Sequence, residues 1–156
     1  MSEPSRVHQL RAVEFVRLGY HDASQNFTTP CRDLGEFHLM LLAAGGYNDF
    51  DPETVFRALA PLFDEFDSIE FGREASPVLY VHLPYWEHQK IKNRGKTEAE
   101  TGSHRLTAQE LDSLADSTMS TLRKAKADEL GFIDFVGSGQ YDTRRGDKTR
   151  IRAWWD

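Results

Sequence analysis

Cysteine is nearly absent from this chain. Cys31 is the one thiol among 156 residues. No disulfide can form within the chain, so a hydrophobic core must supply the stability. A single thiol is the usage of a reducing compartment, and a cytoplasmic location is expected. Long apolar runs are also missing. The longest, residues 37–44, includes His38 and falls well short of the roughly 20 residues of a membrane helix. The first ten residues have no apolar stretch behind a basic start, so a secretory leader is not expected either.

A surplus of positive charge is lacking. The net charge is −6, and it is uneven: residues 1–86 hold 6 basic and 13 acidic side chains, residues 87–156 hold 13 and 12. That balance argues against a whole-chain nucleic-acid binder and leaves room for a local basic patch in the second half. Phosphate loops, nucleophile elbows and paired-carboxylate motifs are absent from the sequence. Gly137-Ser138-Gly139 follows a strand pattern but leads to Tyr141 and a turn, not to the helix start a phosphate needs. A winged-helix reading fails on charge. The second helix holds Arg57 against Asp51, Glu53, Asp64 and Glu65, and phosphate would repel it.

What the chain does have is aromatic material. Ten Phe, five Tyr and three Trp, within 39% hydrophobic residues, suffice for one core. The patterning reads as a single α+β domain over 1–156. Alternation over residues 12–20 predicts a first strand. Thr29 as cap and Pro30 at the first helical position open a helix striped by Leu34, Phe37, Leu41 and Ala44 and closed by Gly45-Gly46. Asp51 and Pro52 open a second, with an early end or kink at Pro61. Two strands follow, at 68–71 and 77–83, with a hairpin-length loop between them. Residues 86–103 form a long polar connection, taken with its flank as a loop over 86–105. Thr107 and Glu110 make a capping box, and Leu106 and Leu111 a hydrophobic staple, for a helix that Gly131 stops. Strands at 132–136 and 149–155 close the chain. The order suits an antiparallel sheet with helices packed on one face: the split βαβ pattern of a ferredoxin-like sandwich with an added C-terminal strand.

Three features bear on chemistry. A thiol at the second position of a helix feels unsatisfied N–H groups and the positive end of the dipole, which favour thiolate, and Arg32 stands beside it. With Phe27 and Thr28 preceding Cys31 by four and three residues, the stretch Phe27-Thr28-Thr29-Pro30-Cys31 resembles the peroxidatic motif of the peroxiredoxins. The resemblance implies a thiol-based peroxidase or redox role for Cys31. Ser24 stands where that family has a proline and Leu34 where it often has an acid. The plainer reading, a small buried cysteine in a core helix, is the expected one.

Six histidines, His82 and the pair Glu87-His88 among them, lack any recognised metal-ligand spacing, so no metal and no cofactor are expected. His82 shares a strand face with Tyr80. Finally, basic side chains lie beside aromatics: Lys90, Lys92 and Arg94 after Trp86, and Arg150 and Arg152 before Trp154-Trp155. Such sets meet phosphates and stack on bases. Ferredoxin-like sheets resembling RNA-recognition domains use them so, but residues 78–83 lack that family's Gly-aromatic-Gly pattern. The set equally suits a protein interface, where aromatics and arginine are enriched. The reading is therefore a small non-enzymatic interaction or assembly protein, binding a protein partner or a second copy through Trp86, Lys90, Lys92, Arg94, Arg150, Arg152 and Trp154. A nucleic-acid-binding module is the alternative.

Overall fold

The computed structural model describes residues 5–84, 106–133, 144–146 and 148–156. The chain opens with a helix, α1 (Arg6–Arg17), where a strand was expected. The Ser5 side chain caps it, accepting from the His8 N–H at 3.2 Å. The alternation over residues 12–20 misled because apolar residues fall in both phases: Phe15 in one, Val16 and Leu18 in the other. A strand pattern discriminates only when one phase is polar. In the helix Phe15 is buried, while Val16 and Leu18 face outward.

Strand β1 (Phe27–Cys31) follows, and helix α2 (Leu34–Ala44) begins only after it. Thr29 and Pro30 do not open the helix. They are extended, and Asp33 is the cap, accepting from the Glu36 N–H at 2.9 Å. β1 pairs with β2 alone, at the sheet edge, where a proline costs no ladder bond. Gly45 ends α2 at φ 75, a positive φ that glycine adopts without a Cβ penalty. Helix α3 (Pro52–Leu59) is capped by Asp51 and passes into a 3₁₀ helix (Ala60–Glu65). Pro61 has no N–H to continue the α ladder, which accounts for the early end.

Strand β2 (Ser68–Glu74) is longer than expected, β3 (Ser76–His82) starts one residue earlier at the same length, and the two turn tightly at Ala75, φ 65. Helix α4 (Ala108–Lys124) has the capping box of Thr107 and Glu110 in full. Gly131 does not stop it. Lys126 takes the left-handed position at φ 65, and Gly131 lies inside β4 (Glu129–Ile133). Strand β5 (Arg150–Trp154) closes the fold.

The sheet is antiparallel throughout, in the order β1-β2-β3-β5-β4. Between β1 and β2 the chain makes two helices, one leading away and one back, so β2 returns antiparallel beside β1. β5 lies between β3 and β4 and runs antiparallel to both, so β3 and β4 are parallel to one another. With β1 and β2 adjacent, the first connection is not a split βαβ unit, and the strand order differs there from the expected ferredoxin-like sandwich.

The four described α-helices pack on one face. Phe15, Phe37, Met40, Leu41, Val55, Leu59, Leu114 and Leu122 meet Ile69, Phe71, Leu79, Val81, Ile151 and Trp155 in one core. The other face holds a small cluster of Val78, Tyr80 and Ile133, with Trp154 against it. Among the described residues no helix is long and apolar enough to cross a membrane.

One contact limits the sequence sharply. Gly72 lies opposite Thr28, and a Cβ there would sit 1.9 Å from the Phe27 carbonyl oxygen and 2.7 Å from Thr28 Cα. Backbone cannot yield as a side-chain tip can. Gly72→Ala is expected to cost about 3 kcal/mol, at the upper end of overpacking penalties, read as a lower urea midpoint at unchanged slope.

Candidate functional site

Cys31 ends β1 rather than starting a helix, and it is 5% exposed. Burial pushes its thiol pKa well up, and the nearby Glu36 carboxylate adds to that. Its Sγ lies 3.7 Å from Met40 Sδ, in the core. The helix-start environment that would favour thiolate is gone: Cys31 is a buried core cysteine, on a strand and not in the helix expected for it. The peroxiredoxin-like spacing lies along an edge strand.

The four described histidines all have partners. His8 Nε2 meets Asp33 at 2.8 Å, His38 Nε2 meets Glu53 at 2.7 Å and His21 Nε2 meets the Ala43 carbonyl at 3.0 Å. His82 Nε2 meets Glu70 at 2.5 Å. His88 and His104 lie outside the described residues. Among those described, no three His, Cys, Asp or Glu side chains gather as a metal site would require.

Arg150, Arg152 and Trp154 come together on the sheet face turned away from the helices, where alternation along β5 puts them. The same face carries Thr28 from β1, Glu70 and Glu74 from β2, and Tyr80 and His82 from β3. Thr28 Oγ1 donates to Glu70 at 3.1 Å. The His82 hydrogen bond and the Thr28 hydroxyl hold the Glu70 carboxyl below the usual carboxylate range, against the cost of its burial. The Arg150 guanidinium lies 4.3 Å from the centre of the Tyr80 ring. Tyr80 donates to Glu74 at 2.6 Å, and burial together with that bond raises its pKa. Arg152 donates to Glu74 at 3.0 Å and to Glu129 at 3.2 Å. The Trp154 indole donates to the Glu74 carbonyl at 2.8 Å.

This arrangement is a cross-strand network whose two arginines are set among three carboxylates. It ties all five strands together side chain to side chain. Arg152 is compensated by Glu74 and Glu129, while Arg150 rests on the Tyr80 ring, with its Nε buried and without a hydrogen-bond partner among the described residues. Trp86, Lys90, Lys92 and Arg94 lie outside the described residues.

A surface that the sequence reading missed lies on α1. Val7, Leu10, Val13, Val16 and Leu18 are 39–59% exposed, along α1 and at its C-terminal end. Arg6, Glu14 and Arg17 are exposed among them. The signal was present: the three-residue spacing of Val7, Leu10, Val13 and Val16 behind the Ser5 cap.

Comparison with protein-family models, with curated proteins and with solved structures finds no match to this chain.

Two outcomes follow from this geometry. With a thiol-specific disulfide reagent, Cys31 should stay silent in native protein and react fully in denaturant; rapid native labelling would contradict its burial. Glu70→Gln should lower stability by about 1 kcal/mol at pH 7, as expected for one charge-assisted hydrogen bond near the surface. Because the folded Glu70 pKa is depressed, its contribution is complete above the ordinary Glu range and fades as pH falls below about 4. The difference between wild type and variant, followed by urea unfolding across pH, should shrink on the acid side.

Proposed function

We propose that this chain is a small non-enzymatic interaction protein, and that it docks a partner through the outer face of α1. The single observation that carries the reading is the run of five exposed apolar side chains on one short helix and its C-terminal turn. Single exposed apolar residues are ordinary, whereas five along one short helix and its end, with Arg6, Glu14 and Arg17 interspersed, support a mixed apolar and charged contact surface.

The charges bear on the occupant. In an antiparallel pairing of two copies about the midpoint of Leu10 and Val13, Arg6 faces Arg17. A parallel pairing sets each arginine against its own copy. Both cost like-charge repulsion. A different protein that presents carboxylates around an apolar ridge meets the surface without that cost, so it is the favoured partner over a second copy. The single thiol fits a reducing, cytoplasmic setting for the encounter. Nucleic-acid contact through Lys90, Lys92, Arg94, Arg150, Arg152 and Trp154 has less support, because the Arg152 charge is already paired twice. A thiol-based peroxidase has less still, given the burial of Cys31.

The test is a photo-reactive side chain at position 10, with position 57 on α3 as control. In the native cell, position 10 should give one discrete heterologous adduct and position 57 none. Leu10→Glu with Val13→Glu should abolish the adduct made from position 7 while stability stays within about 0.5 kcal/mol, as for surface substitutions. An adduct of twice the chain's own mass, or none, would overturn the reading.

A further inference from the structure

A cavity of about 280 Å³ opens where the loop after α1, the end of α2 and the β2–β3 turn meet, and Tyr20, His21, Tyr47, Arg73 and Ser76 help to line it. Its volume is close to the lower limit of small-ligand sites, which start at roughly 300 Å³.

Arg73 gives the cavity its chemistry. Its terminal nitrogens donate to two backbone carbonyls, Tyr20 O at 2.9 Å and Ala75 O at 3.2 Å. Among the described residues it forms no ion pair, and its Nε is buried without a hydrogen-bond partner. Asp22 feels its charge but is fully exposed and held by Ser24. A guanidinium has five N–H donors in a rigid fork. Two are committed, so donors and a full charge remain. A partly buried cation without a carboxylate partner is costly, and an anion beside it would remove the cost.

The remaining walls suit a flat apolar body. Tyr47 is 48% exposed, although its backbone is pinned by paired hydrogen bonds with Phe50 at 3.0 and 2.7 Å. It is thus presented at the rim and not packed. Tyr20 is a second aromatic wall. His21 occupies the Ala43 carbonyl at the end of α2. That contact covers one of the helix-end carbonyls, which would otherwise repel an anion.

We propose that this cavity binds a small aromatic ligand bearing one anionic group, with the carboxylate or phosphate on Arg73 and the ring against Tyr47. The two anions share the same recognition chemistry, and the probes separate them. Titrations would use indole-3-acetate, phenyl phosphate and neutral indole, followed through the amide resonances of Ala75 and Ser76 and by calorimetry. Either anion should bind at least about tenfold more tightly than indole, as expected for a charge-assisted bidentate contact. The tighter of the two identifies the anion class. Arg73→Gln should remove that preference and Tyr47→Ala should weaken binding of the preferred anion several-fold. Because Arg73 also braces the turn, Arg73→Lys and Tyr47→Ala serve as the folded comparisons, with circular dichroism confirming the fold. Equal binding of indole and the anions, no binding at millimolar probe, or unchanged affinity in Tyr47→Ala would overturn the proposal.

Discussion

The ring of Phe71 holds the parts of this fold together. It stacks on Phe15 at 5.6 Å, on Tyr20 at 5.8 Å and on Phe50 at 5.8 Å, and Phe50 in turn meets Trp155 at 5.1 Å. One side chain of β2 thus joins α1, the loop after it, the entry to α3 and the end of the chain. Aromatic pairs add to area burial, and losing one such ring from a core costs about 3–5 kcal/mol. That is a large share of the roughly 5–15 kcal/mol that keeps a domain folded. The next residue, Gly72, is constrained by the same packing. β1 is drawn so close to β2 that no Cβ fits between them. The buried Trp155 indole is satisfied as well, donating to the Ala125 carbonyl at 2.9 Å where α4 ends.

The two faces of the sheet are closed by different physics. On the helical face the closure is apolar, and strand alternation sends Ile69, Phe71, Leu79, Val81, Ile151 and Ala153 inward. On the other face, the side chains of Thr28, Glu70, His82, Tyr80, Glu74 and Arg152 bond to one another across strands. Such a network offsets the desolvation of its charges only when nearly every member is satisfied. Its members come from β1, β2, β3 and β5, so it also specifies strand register, since a slip by one residue would turn every polar group into the core.

Elements with strong local chemistry could be read directly from the sequence. The Thr107–Glu110 box, the Asp51 cap before Pro52, the break at Pro61 and the glycine after Ala44 all have the geometry their residue types imply. Where one residue type serves two purposes, reading failed. Pro30 suits a helix start or an edge strand, and only the pairing of β1 with β2 decides between them. Lys126 adopts a left-handed turn that glycine usually takes, so Gly131 drew the helix end several residues too far. The first helix was hidden because its outer side mixes apolar and charged residues, which blurs the contrast that amphipathic patterns depend on. At the candidate sites, the alternation of Arg150, Arg152 and Trp154 was legible. Their partners Glu74 and Glu129 were not, because cross-strand neighbours depend on a strand order that no short stretch of sequence encodes.

Arg152 and Arg73 show where unspent interaction lies in this molecule. Both are arginines on the sheet, and both are partly withdrawn from water. Arg152 has carboxylates on two sides, Glu74 and Glu129, so its desolvation is offset within the chain. Arg73 has carbonyl oxygens on two sides and no ion pair among the described residues. Carbonyl dipoles fix the direction of a guanidinium but do not neutralise it. The carboxylates beside Arg152 therefore leave that arginine little capacity for an added anion. The rim of the helical face, where Arg73 and Tyr47 stand, retains it. The apolar side of α1 is the other surface whose composition folding does not explain. Phe15 is the one fully buried residue that anchors this helix, while the exposed valines and leucines contribute nothing to the core. Folding therefore accounts for the polar sheet face, and it leaves unaccounted the outer side of α1 and the cavity at Arg73.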